Sequence, residues 1–309
     1  MTIPAEAPDH TAAGEGTSPV GRRTRKPASL AERLYDLGPR VASALILTAV
    51  ALVTWLTGGI PFLIAWLAAT LTVYLEWQRL LSDVRLGFRL AAGALAIVAA
   101  ALLANGAGVS SALLALSLGA LAVSGLAEDG RRRWAAAGVI YAGSLIVSVL
   151  ALRFSYPFGQ RAIGWLFAVV WGTDVTAYFA GRLIGGPRFA PIISPSKTWS
   201  GTLCGMVGGA GLGSVFLLIE SQITRLETPA PIVILFVLGL VTSAVSQGGD
   251  LFESWTKRHF GAKDTGGLIP GHGGLMDRLD GFIAAAVFVT ILGALRGFPS
   301  PAEGLFHWM

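Results

Sequence analysis

From residue 41 to residue 295 the chain repeats one pattern, a long apolar run followed by a short polar break. A helix needs about 20 mostly apolar residues to cross a bilayer, because no water in the hydrocarbon core can satisfy its backbone. Nine runs approach that length: 41–57, 60–77, 88–105, 107–127, 134–152, 161–184, 199–219, 230–252 and 275–295. Breaks as short as "TGGI" and "NGAG" leave room only for tight turns, so neighbouring helices must run antiparallel. The pattern predicts an all-α, polytopic integral membrane protein of about nine transmembrane helices.

Composition agrees: 53% of the 309 residues are hydrophobic and 13% are charged, against about 25% charged in soluble domains. Residues 1–38 differ, being polar and carrying "GRRTRK". Because "PASLAERLYDLGPR" separates that basic patch from the first apolar run, a secretory signal is not expected. A disordered, basic cytoplasmic tail on an anionic leaflet is. With nine spans after a cytoplasmic tail, 18 of the 23 Lys and Arg residues fall on the cytoplasmic side. Only Arg153, Arg161, Arg225 and Arg296 fall opposite, and Arg278 stands at a helix entrance. That asymmetry follows the positive-inside rule. The net charge of +5 therefore reflects topology, and nucleic acid is not an expected partner. A single cysteine, Cys204, excludes an internal disulfide, and no Cys/His spacing suits zinc. Cys204 sits in "GTLCGMVGGAGLG", where small residues allow close helix contact.

Two regions follow. Residues 39–160 read as scaffold helices nearly free of charge, with Glu76 at a helix end where it reaches interfacial water. Residues 161–298 read as the catalytic part, because Asp174, Asp250, Glu253, Asp277 and Asp280 lie within or at the ends of spans. Ionisable groups at membrane depth are costly and mark function by default.

Three polar constellations occur there. In "QGGDLFESWTKRHF", Asp250, Glu253 and Lys257 share one helix face; Glu253 and Lys257 make an ordinary i,i+4 surface pair, which leaves Asp250 unexplained. In "KDTGGLIPGHGGLMDRLDG", Asp277 and Asp280 share a face at a glycine-rich helix entrance, beside Arg278 and His272. An acidic residue at a helix start would account for Asp277 alone. Paired carboxylates beside a phosphate substrate suit a hard cation such as Mg²⁺. In "WGTDVTAYFAGRLIGGPRFAPIISPSKTWSG", Asp174 lies on a helix, and a loop with Ser194 and Lys197 precedes another helix, a plausible phosphate cradle. Its spacing is not that of a P-loop. All three fall on the expected cytoplasmic face, which places a polar catalytic site at that membrane interface.

At these residues the chain resembles the phosphatidate cytidylyltransferase (CDP-diacylglycerol synthase) family. The stretch "SWTKRHFGAKDTGGLIPGHGGLMDRLD", Ser254 to Asp280, follows the family pattern, with Thr256 where an apolar residue is usual. Upstream, "TDVTAYFAGRLIG" and "SPSKTWSG" are similar to further family elements, although Ser196 and Ser200 replace the usual Lys and Glu. The resemblance covers residues 160–295 well and the first half only as spanning helices. It implies that CTP and phosphatidate react to CDP-diacylglycerol and pyrophosphate, as a step of phospholipid synthesis. It further implies that Asp250 and Asp277 hold Mg²⁺ or another divalent metal, with Asp280 assisting. Lys197, Lys257, Arg258, Lys263 and Arg278 are then candidates for substrate phosphates, and Asp174, Ser194 and His272 for substrate contacts. The expected setting is a plasma (inner) membrane bilayer with N-terminus and site cytoplasmic, and a homodimer is a candidate assembly. An ion-coupled transporter, the main rival, would place its carboxylates near the bilayer midplane instead.

Overall fold

The computed structural model describes residues 30–81, 86–225, 230–266 and 273–308, with side chains in the first helix described from residue 41 onward. Six helices come first: α1 (Leu30–Thr57), α2 (Gly59–Leu80), α3 (Leu86–Gly106), α4 (Val109–Leu126), α5 (Arg132–Arg153) and α6 (Gly159–Leu183). Two short strands follow, β1 (Arg188–Ala190) and β2 (Ser194–Thr198), and then α7 (Trp199–Thr224), α8 (Ile232–His259), α9 (Met276–Leu295) and α10 (Pro301–Phe306).

Among the described residues, the eight helices α2 to α9 are long and apolar enough to cross a membrane. The remaining expected span, 41–57, is the apolar end of α1 and is shorter. Even so, α1 runs along the bundle. At one end Trp55 Nε1 donates to the Gln160 carbonyl (2.7 Å), and Ala44 borders a cavity shared with Asp174 and Arg278. The helical, multi-pass architecture is as the apolar pattern predicted.

Alternation of direction gathers alternate helix ends on two faces. On one face, Trp77 and Gln78 of α2 donate to the carbonyls of Trp134 and Ala135 at the start of α5, and Trp134 meets His259 at the end of α8. The opposite face holds Arg153, donating to the Trp55 carbonyl, and the Arg161–Glu220 ion pair between α6 and α7. The short α10, capped by the Ser300 hydroxyl at the Glu303 amide, covers that far face.

Small residues set the closest crossings. Gly201, Gly205, Gly209 and Gly213 recur every fourth residue on α7 and face α6. A Cβ at Gly205 would lie 2.9 Å from the Ala177 Cβ, and one at Gly209 2.1 Å from the Thr173 hydroxyl. Close backbone approach of this kind replaces the hydrophobic drive that helices lack within lipid. Cys204 lies on the same helix, free and partly exposed. One apolar core, including Trp77, Ile97, Leu145, Leu166, Ile283 and Val289, runs without a break across residue 160.

Two elements were not legible as such. The segment expected as a loop before α7 is an antiparallel hairpin, with Arg188 paired to Thr198 and Ala190 to Ser194. A turn closed by the Ile193 amide on the Ala190 carbonyl (3.2 Å) folds the strands together. The helix α10 lies beyond the last apolar run, where hydropathy gives no signal.

Candidate functional site

The site begins where α8 and α9 cross. A Cβ on Gly249 would come 2.7 Å from the Asp280 carbonyl, and one on Gly281 2.6 Å from the Ser246 hydroxyl. Only glycines permit this approach, and it brings Asp250 and Asp280 within electrostatic reach of each other and of Asp174 from α6. Asp250 is partly exposed. Its Oδ2 pairs with Lys197 Nζ at 2.7 Å, and its Oδ1 accepts a long bond from the Ser254 hydroxyl at 3.4 Å.

The hairpin explains how Lys197 arrives there. Thr198 ends β2 and caps α7, its hydroxyl accepting from the Gly201 amide at 3.1 Å. This fixes the residue before it, and Lys197 reaches across to Asp250 and, at 3.4 Å, to the Gln247 carbonyl. Ser194 stands at the start of β2, paired in register with Ala190. The hairpin therefore delivers one lysine to the carboxylates.

About two helical turns beyond Asp250 on α8, Lys257 bridges two carboxylates. Its Nζ lies 2.8 Å from Glu253 Oε2 and 2.8 Å from Asp277 Oδ1. The Glu253–Lys257 contact was expected as a surface pair; it is instead interior, with the Glu253 side chain 1% exposed. The difference arises because α9 packs over that face of α8, which a single helix pattern cannot reveal. Asp277 is fully engaged: its Oδ2 accepts from the amides of Gly274 (2.9 Å) and Thr265 (3.4 Å).

Asp174, Arg278 and Asp280 line the charged end of a cavity of about 420 Å³. Its remaining wall is largely apolar, with Thr48, Thr54 and Thr72 among the residues drawn from α1, α2, α6 and α9. Four aromatic rings stack along it: Trp66 on Phe282 (5.1 Å between centroids) and on Phe167 (6.2 Å), and Phe167 on Trp171 (4.8 Å). Such a cavity suits a ligand with a charged head and a hydrocarbon body. Arg258 and Lys263 are exposed, at the end of α8 and in the turn beyond it, and lie outside the cavity lining. His272 falls outside the described residues.

Glu76 is the residue that pattern reading misplaced. Expected at interfacial water, it is 0% exposed and accepts the amides of Leu275 (2.9 Å) and Met276 (2.7 Å) at the start of α9. An acid within "VYLEWQ", near the end of an apolar run, was the available signal.

Of the acidic groups on this face, Glu76 and Glu253 are buried, while Asp174, Asp250, Asp277 and Asp280 keep some exposure beside Lys197, Lys257 and Arg278. No group of three or more His, Cys, Asp or Glu residues is preformed to hold a metal ion among those residues. The partly exposed oxygens of these aspartates can still recruit a cation in company with another ligand.

Residues 39–295 match the Cytidylyltransferase family, and the chain belongs to that family. Similar proteins include the phosphatidate cytidylyltransferase of Brucella abortus biovar 1 (strain 9-941), 41% identical over 276 residues, which are 88% of this chain and 99% of that protein. The phosphatidate cytidylyltransferase of Bacillus subtilis (strain 168) is 36% identical over 156 residues, 50% of this chain and 56% of its own length. That of Haemophilus influenzae (strain ATCC 51907 / DSM 11121 / KW20 / Rd) is 38% identical over 150 residues, 47% and 51% respectively. The family match extends well upstream of residue 160, so the scaffold helices belong to it too.

Proposed function

We propose that the protein is a nucleotidyltransferase that converts CTP and phosphatidate to CDP-diacylglycerol and pyrophosphate, in phospholipid biosynthesis. One observation carries the reading beyond the family: the cavity has an apolar, aromatic wall and a charged end formed by Asp174, Arg278 and Asp280. A diacyl phosphate has that same division. A water-soluble nucleotide reaches it from the charged side.

In the transfer, a phosphatidate phosphate oxygen attacks the α-phosphorus of CTP. A new P–O–P link forms, the bond to the bridging α–β oxygen breaks, and its electron pair leaves with pyrophosphate. Both reactants are polyanions, so the protein must hold them in line and offset their charge. Lys197, Lys257 and Arg278 are the cations placed for that, with Arg258 and Lys263 at the cytoplasmic approach. Lys197 and Lys257 each pair with carboxylates, and a phosphate oxygen could take the place of one of them.

The oxygen donors fit a divalent cation such as Mg²⁺, which commonly takes one or two carboxylates and completes its shell with phosphate and water. Asp250 and Asp277 would hold it, with Asp280 assisting; Asp277 could do so through Oδ1 once Lys257 turns to substrate. When bound, the metal supplies charge neutralisation on the triphosphate. The partly exposed carboxylates of Asp174, Asp250 and Asp280 support this, since a triphosphate brought against them would otherwise meet their repulsion.

We further infer an inner-membrane location with the N-terminus and site cytoplasmic. The clustering of Arg131, Arg132, Arg133, Arg182, Arg188, Lys257 and Arg258 at the site-side helix ends supports it. A homodimer remains the candidate assembly, to be tested by cross-linking in membranes. The decisive experiment for the reaction uses CTP labelled at the α- or the γ-phosphate. Label from the α-position must enter the lipid product, and label from the γ-position must leave as pyrophosphate. Lipid labelled from the γ-position would mean a CTP-dependent lipid kinase instead.

A further inference from the structure

Near the end of α2, in the half of the chain remote in sequence from the polar motifs, Glu76 is completely buried. A carboxylate at that depth is costly unless donors surround it. Its donors are the first amides of α9: Leu275 N–H to Oε1 at 2.9 Å and Met276 N–H to Oε2 at 2.7 Å. The Thr265 hydroxyl adds a third, to Oε2 at 3.4 Å. The amides at a helix start have no partner within the helix, and the helix dipole adds attraction for an anion there. No side chain local to α9 does this work, since Leu275 at the N-cap makes no capping bond. Gly274 leaves the necessary room: a Cβ there would fall 2.7 Å from Glu76 Oε2 and 2.0 Å from the Thr265 hydroxyl.

Asp277 grips the same backbone from the other side, taking the amides of Gly274 and Thr265 on Oδ2. Its Oδ1 is thereby turned to Lys257. Two carboxylates from distant parts of the chain thus clasp Thr265 and the 274–276 segment between them. Asp277 is thereby held on that segment, with Lys257 on its other oxygen.

We propose that Glu76 is a positioning residue for cytidylyl transfer, acting through Asp277 and Lys257. This rests on the reading of those two residues as part of the transfer site. Glu76→Gln keeps length and one acceptor oxygen but turns an amide NH₂ towards a backbone N–H. In purified, folded enzyme it should lower kcat by ~10-fold or more, with a smaller change in the KM for CTP, as misplacement of catalytic groups does. The Mg²⁺ concentration giving half-maximal rate should rise. On an Asp277→Asn background the same change should cost less than ~2-fold further, because both act on one unit. A folded Glu76→Gln enzyme with wild-type kcat and Mg²⁺ dependence would overturn the proposal, as would fully multiplicative losses in the double variant. Either would leave Glu76 a cap that only holds the fold. Should Glu76→Gln not fold, Thr265→Val decides, since it removes only the weakest of the three bonds. It must shift kcat and Mg²⁺ dependence in the same direction by a smaller factor, and an unchanged Mg²⁺ dependence counts against positioning. Wild-type enzyme that forms no CDP-diacylglycerol would instead refute the functional reading, so the two failures are distinct.

Discussion

The two faces of the bundle each hold interior ionic contacts, and they are built differently. On the far face Arg161 meets Glu220 at 2.6 Å, with side chains 1% and 17% exposed. The Arg161 guanidinium also lies 5.6 Å from the Phe158 ring centre. One cation faces one anion, and the pair ties α6 to α7. On the site face a single Lys257 ammonium stands between Glu253 and Asp277, while Asp250 shares Lys197 with the field of Asp174 and Asp280. There the ionic groups share partners, and the carboxylates of Asp174, Asp250 and Asp280 are partly open. A matched pair serves the fold; a shared, accessible cluster is set up to receive another charge. Removing a member should therefore show in stability on the far face and in chemistry on the site face.

The largest effect is expected at Asp277. Asp277→Asn keeps size and an acceptor oxygen for the Gly274 amide but removes the charge facing Lys257, and CDP-diacylglycerol formation should fall by at least ~100-fold, the scale of a lost charge-stabilising contact. Specific activity and melting temperature are to be measured together. Activity above about a third of wild type with a lowered melting temperature would reduce Asp277 to a helix-start charge, a role worth about 0.3–1 kcal/mol.

A smaller loss is expected at the hairpin. Lys197→Ala releases Asp250 and removes one cation from the phosphate approach, and kcat/KM for CTP should drop by ~10-fold or more, as expected when a charged hydrogen-bonding partner worth about 1.5–3 kcal/mol is lost. Wild-type kinetics in this variant would remove the hairpin from the site.

The far-face pair sharpens the contrast from the other side. Arg161→Leu strands a carboxylate and should cost about 3–5 kcal/mol of stability, whereas replacing both Arg161 and Glu220 by leucine should recover much of it. Turnover per folded molecule should stay within ~2-fold of wild type in both, since the pair ties α6 to α7 on the far face and shares no partner with the site residues. A large loss of turnover in the stable double variant would mean that the two faces are coupled.

The smallest effect concerns the basic tail. Deleting residues 1–29 should leave turnover in detergent within ~2-fold, because the basic residues there are expected to act by charge attraction to a leaflet that detergent lacks. More than a tenfold loss would place a functional segment there.

Much of this was legible in the chain because membranes impose simple rules. Apolar length set the helices, the Lys and Arg asymmetry set the expected sidedness, and acids inside spans marked Asp174, Asp250, Asp277 and Asp280. The glycines of α7 announced close packing for the same reason. A periodicity places a residue on a face of its own helix but does not say what packs there. That is why Glu253 read as a surface partner of Lys257, and why Glu76 read as an interfacial acid.

What the sequence by itself determined is the architecture and the chemical inventory: spanning helices, their antiparallel order, and a polar stretch rich in carboxylates and basic side chains. These follow from local properties, namely apolar length, turn length and charge at membrane depth. Only the tertiary structure decided which groups meet. It put Glu76 of α2 on the amides of α9, Lys197 of the hairpin on Asp250, and Lys257 between Glu253 and Asp277. Each of those contacts joins segments far apart in the chain or faces of separate helices. Their partners are chosen by the angle and depth at which helices cross, set by glycines such as Gly249 and Gly281, and no run of neighbouring residues encodes that geometry.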